Sequence, residues 1–305
     1  MKVYVKKVVE GESIPGIIKN GEYFLTKFGV YEDGTISCWE RNDFAKFKES
    51  ISKQWVICEV PKGSVLSIFQ LGRFKIEQAE WKYNEESYYK HILEIVKTLN
   101  PEMENIYTET SRIKEKWDKV RVRFTDNPID CKLANKFGYS FTDGESNFIF
   151  YNQKGKSCIT FLTAYADKSF RIGAIPDREF TFAQVKKMFQ KGILSTTVDE
   201  NIWIEIEHLG KVKLLAFSTS IISTEEKLKE LEERMKKLAN EPTAHDLCIE
   251  AYHNYLEFPC EENREILRKA YENVPEHERC YLGDMDTRDT DYIRILYNPK
   301  SKREV

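Results

Sequence analysis

The sequence predicts an α+β protein that consists of several parts. Alternating apolar and polar residues, typical of strands, dominate up to about residue 222, and apolar residues spaced three and four apart, typical of helices, dominate after it. The 305 residues also exceed one typical domain of about 100–200 residues. We expect a β-rich domain with packed helices at 1–100, a linker or surface helix at 101–118, an α+β domain at 119–222, and a helical segment at 223–305 that ends in an acidic turn and a strand.

Composition limits the function classes. The 47 basic and 50 acidic residues give a net charge of −3, which argues against general attraction to nucleic acid or to an anionic membrane. No run of about 18 apolar residues is present to span a bilayer. The seven cysteines are scattered singly, as expected for buried thiols in a reducing compartment. We therefore expect a soluble cytoplasmic protein without membrane contact.

Strands dominate the first predicted domain. Alternation over residues 2–9 predicts the first strand, and Asp33-Gly34 between two apolar runs predicts a hairpin, since both residues tolerate positive φ. Residues 42–53 read as an amphipathic helix capped by Asn42. Residues 84–99 predict a second helix on the same sheet.

The second predicted domain mixes both element types. Alternation predicts strands at 120–124, 148–151 and 158–162, and a hairpin around Leu209-Gly210. Residues 180–191 predict a helix that ends at Gly192.

The last segment begins with a clear helix start. Ser223 and Glu226 have the spacing of a capping box, in which each side chain pairs with a backbone amide of the first turn. Further helices are predicted at 243–258 and 261–273, and a terminal strand at 292–297.

Just before that strand lies the acidic turn, which is the best candidate site. Asp284, Asp286, Asp289 and Asp291 lie within eight residues, and Mg²⁺ or Ca²⁺ requires several converging oxygens. One interpretation is a catalytic metal site in which the first three aspartates bind a divalent cation and His277 serves as acid or base. The spacing does not fit an EF-hand loop.

Two other interpretations of the acidic turn remain open. Arg279, Arg288 and Arg294 lie close enough in sequence to neutralise the carboxylates in a structural turn. The turn could instead be an anion-excluding or partner-binding surface. The metal-site interpretation requires a pocket in which the ligands and His277 converge beside binding cations such as Arg279 or Arg288.

Aromatic and basic residues suggest further binding surfaces. Trp39, Trp55 and Trp81 would form a contact surface on the first domain if they are exposed. Arg121 and Arg123 lie on one face of a predicted strand and could meet phosphates of single-stranded nucleic acid. The near-neutral total charge argues against this nucleic-acid role, and a solvated strand face predicts the same pattern.

Two stretches resemble a known group of proteins. They are EGESIPGIIKNGEYFLTKFGVYEDGTISCW and AYHNYLEFPCEENREILRKAYENVPEHERCYLGDMDTRDTDYIRILY. They resemble uncharacterised bacterial domains associated with NADAR-type (YbiA-like) proteins, which act on ADP-ribose or related N-glycosides. The chain lacks the NADAR catalytic core, so the resemblance transfers no catalytic residue. It implies bacterial origin and nucleotide-linked or defence-linked biology.

These observations lead to two functional hypotheses. The first is a non-enzymatic accessory or regulatory module that binds a protein or nucleotide partner. The alternative is a metal-dependent enzyme that acts on a nucleotide or ADP-ribose-like phosphate substrate through the acidic turn.

Overall fold

A computed structural model of the chain describes residues 7–108, 121–125, 131–135, 140–153, 155–216, 221–283 and 288–302. It confirms the predicted α+β class, with strands before residue 217 and helices after residue 223. The chain forms two compact units, Met1–Ile221 and Ile222–Val305, called unit 1 and unit 2 below.

Unit 1 contains the strands of the described chain. Their bounds are β1 Lys7–Asn20, β2 Glu22–Tyr31, β3 Ile36–Cys38, β4 Glu40–Asn42, β5 Val56–Ile57, β6 Val65–Ile68, β7 Gly72–Trp81, β8 Arg121–Thr125, β9 Cys131–Asn135, β10 Ser140–Gln153, β11 Lys156–Tyr165, β12 Ser169–Ile172, β13 Ile175–Thr181, β14 Leu194–Ser195, β15 Ile204–Ile206 and β16 Gly210–Ala216.

One sheet connects strands from both predicted domains. Its order is β13-β12-β11-β15-β16-β7-β6-β2-β1-β5, and the remaining strands pair beside this path. The antiparallel β7–β16 ladder runs from Gly210 opposite Trp81 to Ala216 opposite Phe74. Strands on either side of the linker predicted at 101–118 therefore belong to a single sheet. Residues 109–118 of that linker lie outside the described part of the chain.

The core of unit 1 is also shared. The rings of Phe74 on β7 and Phe150 on β10 meet edge to face, 5.3 Å apart, and both side chains are buried. Phe28 on β2 meets Phe47 in the same way at 6.3 Å. Aromatic pairs of this geometry add about 0.5–1.5 kcal/mol each beyond the burial of their area.

Three helices of unit 1 are described, and side chains cap each of them. They are α1 Phe44–Ser52, α2 Glu85–Leu99 and α3 Phe182–Gln190. The predicted Asn42 cap of α1 is wrong, because the neighbouring Asp43 accepts the hydrogen bond from the Lys46 amide. Asn42 is instead buried and donates to the Cys38 thiol.

Unit 2 is helical. Its elements are α4 Thr224–Leu238, α5 Ala244–Glu257, α6 Glu261–Asn273, a 3-10 helix Glu276–Tyr281, and α7 Thr290–Tyr297. Ser223 caps α4 as predicted by accepting from the Glu226 amide. Glu226 does not complete the reciprocal box, since its carboxylate accepts from the Glu276 amide.

The terminal strand predicted at 292–297 is wrong, because these residues belong to α7. Tyr292, Ile295 and Leu296 are buried, and their spacing of three and four residues is that of a helix face. They join Leu267 and Tyr271 of α6 in one apolar cluster. Among the described helices, none combines the length and apolar character needed to cross a bilayer.

We expect Gly210→Ala to destabilise unit 1 by about 3 kcal/mol, through an unfavourable backbone conformation and overpacking. Gly210 has φ +148°, and an added Cβ would overlap the Glu80 carbonyl oxygen and lie 3.0 Å from the Trp81 Cα. Urea unfolding followed by indole fluorescence measures this, because all five tryptophans precede residue 222.

Gly192→Ala is the matched control. It has φ +67° with no atom within 4 Å of an added Cβ, so it should cost only about 1 kcal/mol. Equal unfolding midpoints for the two variants would show that the close β7–β16 approach does not constrain this position.

Candidate functional site

A cleft of about 540 Å³ opens on the exposed face of the unit 1 sheet, across β7, β11, β15 and β16. We call it the Trp203 cleft. Its lining contains the indoles of Trp81 and Trp203, and the polar side chains of Glu80, Lys82, Lys156, Ser157, Glu205 and Lys211. Its volume lies within the range of about 300–1,000 Å³ that small-molecule sites occupy.

The pairing register of the strands places charged side chains of opposite sign next to each other on the floor of the Trp203 cleft. Lys211 on β16 lies opposite Glu80 on one side and Glu205 on the other. Its ammonium group is 2.8 Å from the Glu80 carboxylate. The three lysines of the cleft, Lys82, Lys156 and Lys211, exceed its two glutamates by one positive charge.

Trp203 presents its aromatic ring beside two lysine side chains, Lys211 and Lys213. The ammonium groups of Lys211 and Lys213 lie 4.9 and 5.3 Å from its ring centroid, within the range of cation–π attraction. Trp81 is held by a hydrogen bond from its indole nitrogen to the Val60 carbonyl oxygen. The cleft therefore combines flat apolar surfaces with lysine ammonium groups.

A second cleft of about 300 Å³ lies further along the same two strands. We call it the Lys75 cleft. Lys62, Lys75, Lys213 and Glu77 contribute its charges. Together the two clefts contain six lysines and three glutamates, an excess of three positive charges along β7 and β16.

The thiol nearest the Trp203 cleft in sequence is Cys158, which lies opposite Glu205 in the sheet. Burial raises its pKa to about 11, and the neighbouring Glu205 and Glu207 carboxylates act in the same direction. The thiol therefore stays protonated at neutral pH, and a protonated thiol is a poor nucleophile.

The three predicted contact tryptophans fall into two places. Trp39 is 55% exposed and packs against Phe24 at 5.6 Å and Trp55 at 6.2 Å. Trp39 has φ +55°, a conformation that bulky residues rarely adopt. Trp81 is separate from this aromatic patch and lines the Trp203 cleft.

Residues 284–287 of the acidic turn lie outside the described part of the chain. Asp284 and Asp286 are among them. Asp289 accepts a hydrogen bond from the Tyr271 hydroxyl at 2.7 Å. Asp291 accepts from the Arg294 guanidinium at 2.9 Å, the kind of Arg–Asp pairing that the structural interpretation predicts. The described aspartates thus act within the helix packing of unit 2.

The two predicted contact arginines of the C-terminal segment have structural neighbours. Arg279 donates to the Val274 and Glu272 carbonyl oxygens and lies 4.9 Å from the Tyr271 ring centroid. Arg288 has φ +48°, and its carbonyl oxygen occupies the space that a side chain at Gly283 would need.

His277 faces α4 and does not contact Asp289 in the described structure. Its Nε2 lies 3.0 Å from the Glu230 carboxylate. Glu230 also accepts from Lys227 at 3.0 Å and from Arg234 at 2.9 Å. Lys227, Glu230 and Arg234 are at most 6% exposed. We call these four residues and Glu278 the ion cluster.

The ion cluster contains the one group of three potential metal ligands among the described residues. Ligand atoms of Glu230, His277 and Glu278 lie within 4.8 Å of one another. Both Glu230 oxygens, however, already accept hydrogen bonds from Lys227, and Arg234 adds a second cation. A divalent ion would meet two buried positive charges there, so the arrangement favours a structural ion pair network.

Burial and charge shift the pKa values in this cluster in opposite directions. Burial would raise the pKa of Glu230, but the charges of Lys227 and Arg234 and its hydrogen bonds outweigh burial and lower it. Burial raises the pKa of Glu278, and the Glu230 charge raises it further.

The predicted cationic strand is β8, which pairs in parallel with β1. The register places Arg121 opposite Lys7 and Arg123 opposite Val9. The side chains of both arginines lie outside the described part of the chain, so their phosphate-binding role stays a prediction.

Family comparison places most of these features in one group of proteins. Residues 1–103 and 133–242 match the model of a domain of unknown function, DUF7638. The chain belongs to the DUF7638 family. Residues 243–303 match a second domain of unknown function, DUF7639. No curated protein and no solved structure matches the chain. The whole lining of both clefts falls within the DUF7638 part.

The DUF7638 part also contains a histidine pair that sequence reasoning missed. Nε2 of His91 on α2 lies 3.0 Å from Nδ1 of His208, in the turn between β15 and β16. The residues are 117 positions apart, so no local spacing signals their contact. The predicted Leu209-Gly210 hairpin locates His208, but only the β7–β16 pairing brings it to α2.

We expect Glu230→Gln to destabilise unit 2 by about 3–5 kcal/mol, because it leaves Lys227 and Arg234 buried without their counter-charge. Hydrogen exchange mass spectrometry of peptides from α4 and from the 3-10 helix measures this free energy.

Glu265→Gln is the control, since Glu265 forms a partly exposed pair with Arg268 and should contribute less than about 1 kcal/mol. An equal effect of both variants would contradict a structural role for the ion cluster.

We expect Glu278→Gln to stabilise unit 2 at about pH 7 and to have a smaller effect at about pH 4. The folded state raises the pKa of Glu278. The protonated Glu278 carboxyl makes its full contribution to stability below the pKa that it has in the unfolded state. This contribution is lost as the pH rises through the higher pKa of the folded state. Urea unfolding of unit 2 at both pH values measures whether the substitution stabilises more at neutral than at acidic pH. A larger stabilisation at the acidic pH would contradict it.

Proposed function

We propose that this chain is a non-enzymatic accessory or regulatory module that binds a nucleotide-type ligand in the Trp203 cleft. The observation that carries the proposal is the indole of Trp203 in a nucleotide-sized cleft that also contains Lys82 and Lys156. A nucleotide joins a flat aromatic base to anionic phosphates, and the cleft offers a surface for each.

The base would stack on an indole. Trp203 is half-buried and Trp81 lines the same cleft. Stacking between a base and an aromatic side chain contributes about 1–3 kcal/mol and tolerates any base. This geometry supports recognition of the nucleoside part without selecting one base.

The phosphates would meet lysine side chains. Glu80 and Glu205 flank Lys211, whereas Lys156 lies opposite Gln153 and Lys82 follows the last ladder residue, Trp81. We therefore assign the phosphate contacts to Lys82 and Lys156. Lys213 extends the positive charge toward the Lys75 cleft. Because ammonium groups bind phosphate as point charges, the affinity should fall as salt rises.

Binding without chemistry agrees with the groups that line the cleft. They provide stacking, charge and the Ser157 hydroxyl, and the neighbouring Cys158 thiol stays protonated. The resemblance to NADAR-associated bacterial domains implies nucleotide-linked or defence-linked biology. Because NADAR-type proteins act on ADP-ribose or related N-glycosides, ADP-ribose is the first probe.

A protein partner is the second candidate. The exposed Trp39, held against Phe24 and Trp55, favours this role because partly exposed tryptophans are frequent hot spots at protein interfaces. This aromatic patch is independent of the Trp203 cleft, so one substitution in each place separates the two roles.

We expect ADP-ribose and AMP to bind the full chain, and adenosine and inorganic phosphate to bind more weakly. Trp203→Ala should lower the affinity about tenfold or more, as lost stacking predicts, and Lys156→Gln should reduce the salt dependence. Isothermal titration calorimetry measures each affinity without relying on indole fluorescence.

Trp39→Ala is the matched control and should leave these affinities unchanged. Equal binding of adenosine and AMP would contradict the role of the lysines. No binding of any probe, or an equal loss in the Trp39 and Trp203 variants, would contradict the cleft and leave the protein-partner role as the better hypothesis.

A further inference from the structure

We propose that His91 and His208 together bind a transition-metal ion of the Zn²⁺ class, at a site separate from the Trp203 cleft. Nε2 of His91 and Nδ1 of His208 face each other at 3.0 Å. The site lies within unit 1, where α2, β1 and the β15–β16 turn meet. The proposal does not depend on the nucleotide ligand.

The nitrogen–nitrogen distance suits a shared ion. Imidazole nitrogens bind Zn²⁺ at about 2.0–2.1 Å, and a tetrahedral angle between two such bonds separates the nitrogens by about 3.3 Å. The observed pair needs to open by only about 0.3 Å relative to that value. The two nitrogens lie at hydrogen-bond distance, and to bind an ion through Nε2 the neutral His91 ring would carry its proton on Nδ1.

Glu12 lies behind His208, in the place from which carboxylates orient many metal-binding histidines. Its carboxylate lies 3.6 Å from Nε2 of His208, on the side of the ring away from His91. A carboxylate there favours the tautomer with the proton on Nε2, which leaves the lone pair of Nδ1 directed at His91. Zn²⁺ requires that lone pair.

Both rings are fixed before an ion binds. Tyr83 stacks on the His91 ring at 4.7 Å and 15°. His208 has φ +60°, which holds its side chain in a turn closed by the Leu209-to-Ile206 backbone hydrogen bond. Preorganised ligands lose less conformational entropy when they bind.

The surrounding charges favour a cation. Glu207 lies 3.8 Å from His208 Nε2, and Glu94 follows His91 by three residues on α2, so both project from the same face. Burial is the largest cause that lowers the pKa of His91, and the His208 and Lys82 charges act in the same direction against Glu94 and Glu12. A neutral imidazole is the form that binds metal. Water would complete the coordination.

The test is titration of EDTA-treated full-length protein with ZnCl₂ by calorimetry at about pH 7, where unperturbed histidines are mostly neutral. We expect one ion per chain. His91→Gln and His208→Asn should each abolish this binding, and asparagine at 208 tolerates the positive φ. Glu12→Gln should weaken it about 10- to 100-fold, as loss of a partner behind a ligand does.

Two controls separate this site from two of the other three histidines. His245→Gln and His277→Gln should bind Zn²⁺ as the wild type does, although His277 belongs to the ion cluster. Loss of binding in His277→Gln alone, or persistence in both His91→Gln and His208→Asn, would overturn the proposal.

A wild-type measurement keeps the test decisive if a variant fails to fold. Zn²⁺ should protect both His91 and His208 from diethyl pyrocarbonate, as read by mass spectrometry of their peptides. Equal modification with and without Zn²⁺ would also overturn the proposal.

Discussion

The ladder between β7 and β16 is the constraint on which the rest of unit 1 depends. It pairs residues 72–81 with residues 210–216 and so joins two long stretches of chain in one sheet. Its close approach at Trp81 and Gly210 admits no side chain on the glycine. The two clefts and the histidine pair that we infer in unit 1 lie at this ladder or at its end.

The same ladder produces two different chemical surfaces. Along its exposed face, outward side chains of both strands form the floors of the Trp203 and Lys75 clefts. At its end, the Lys82 amide donates to the Leu209 carbonyl oxygen, which brings Tyr83 and His208 to α2. Lys82 lines the cleft and also acts on the charge of His91, so the cleft and the histidine pair are electrostatic neighbours.

Local sequence signals predicted the helices and hairpins well, because caps and turns are encoded within a few residues. Asn84, Thr181 and Ser223 each cap the expected helix. Residues 292–297 were misleading, since aromatic and β-branched residues in a short run favour a strand until the buried spacing is known. The clefts and the histidine pair depend on pairing across more than 100 residues, which no local pattern encodes.

The ion cluster has a consequence for how the two domains of unknown function are inherited. Lys227, Glu230 and Arg234 fall within the DUF7638 match, whereas His277 and Glu278 fall within the DUF7639 match. The buried Glu230 carboxylate, in the DUF7638 match, therefore pairs with His277, in the DUF7639 match. The border between the two matches does not mark a separable fold, and a relative with DUF7638 alone would need apolar replacements for these buried charges.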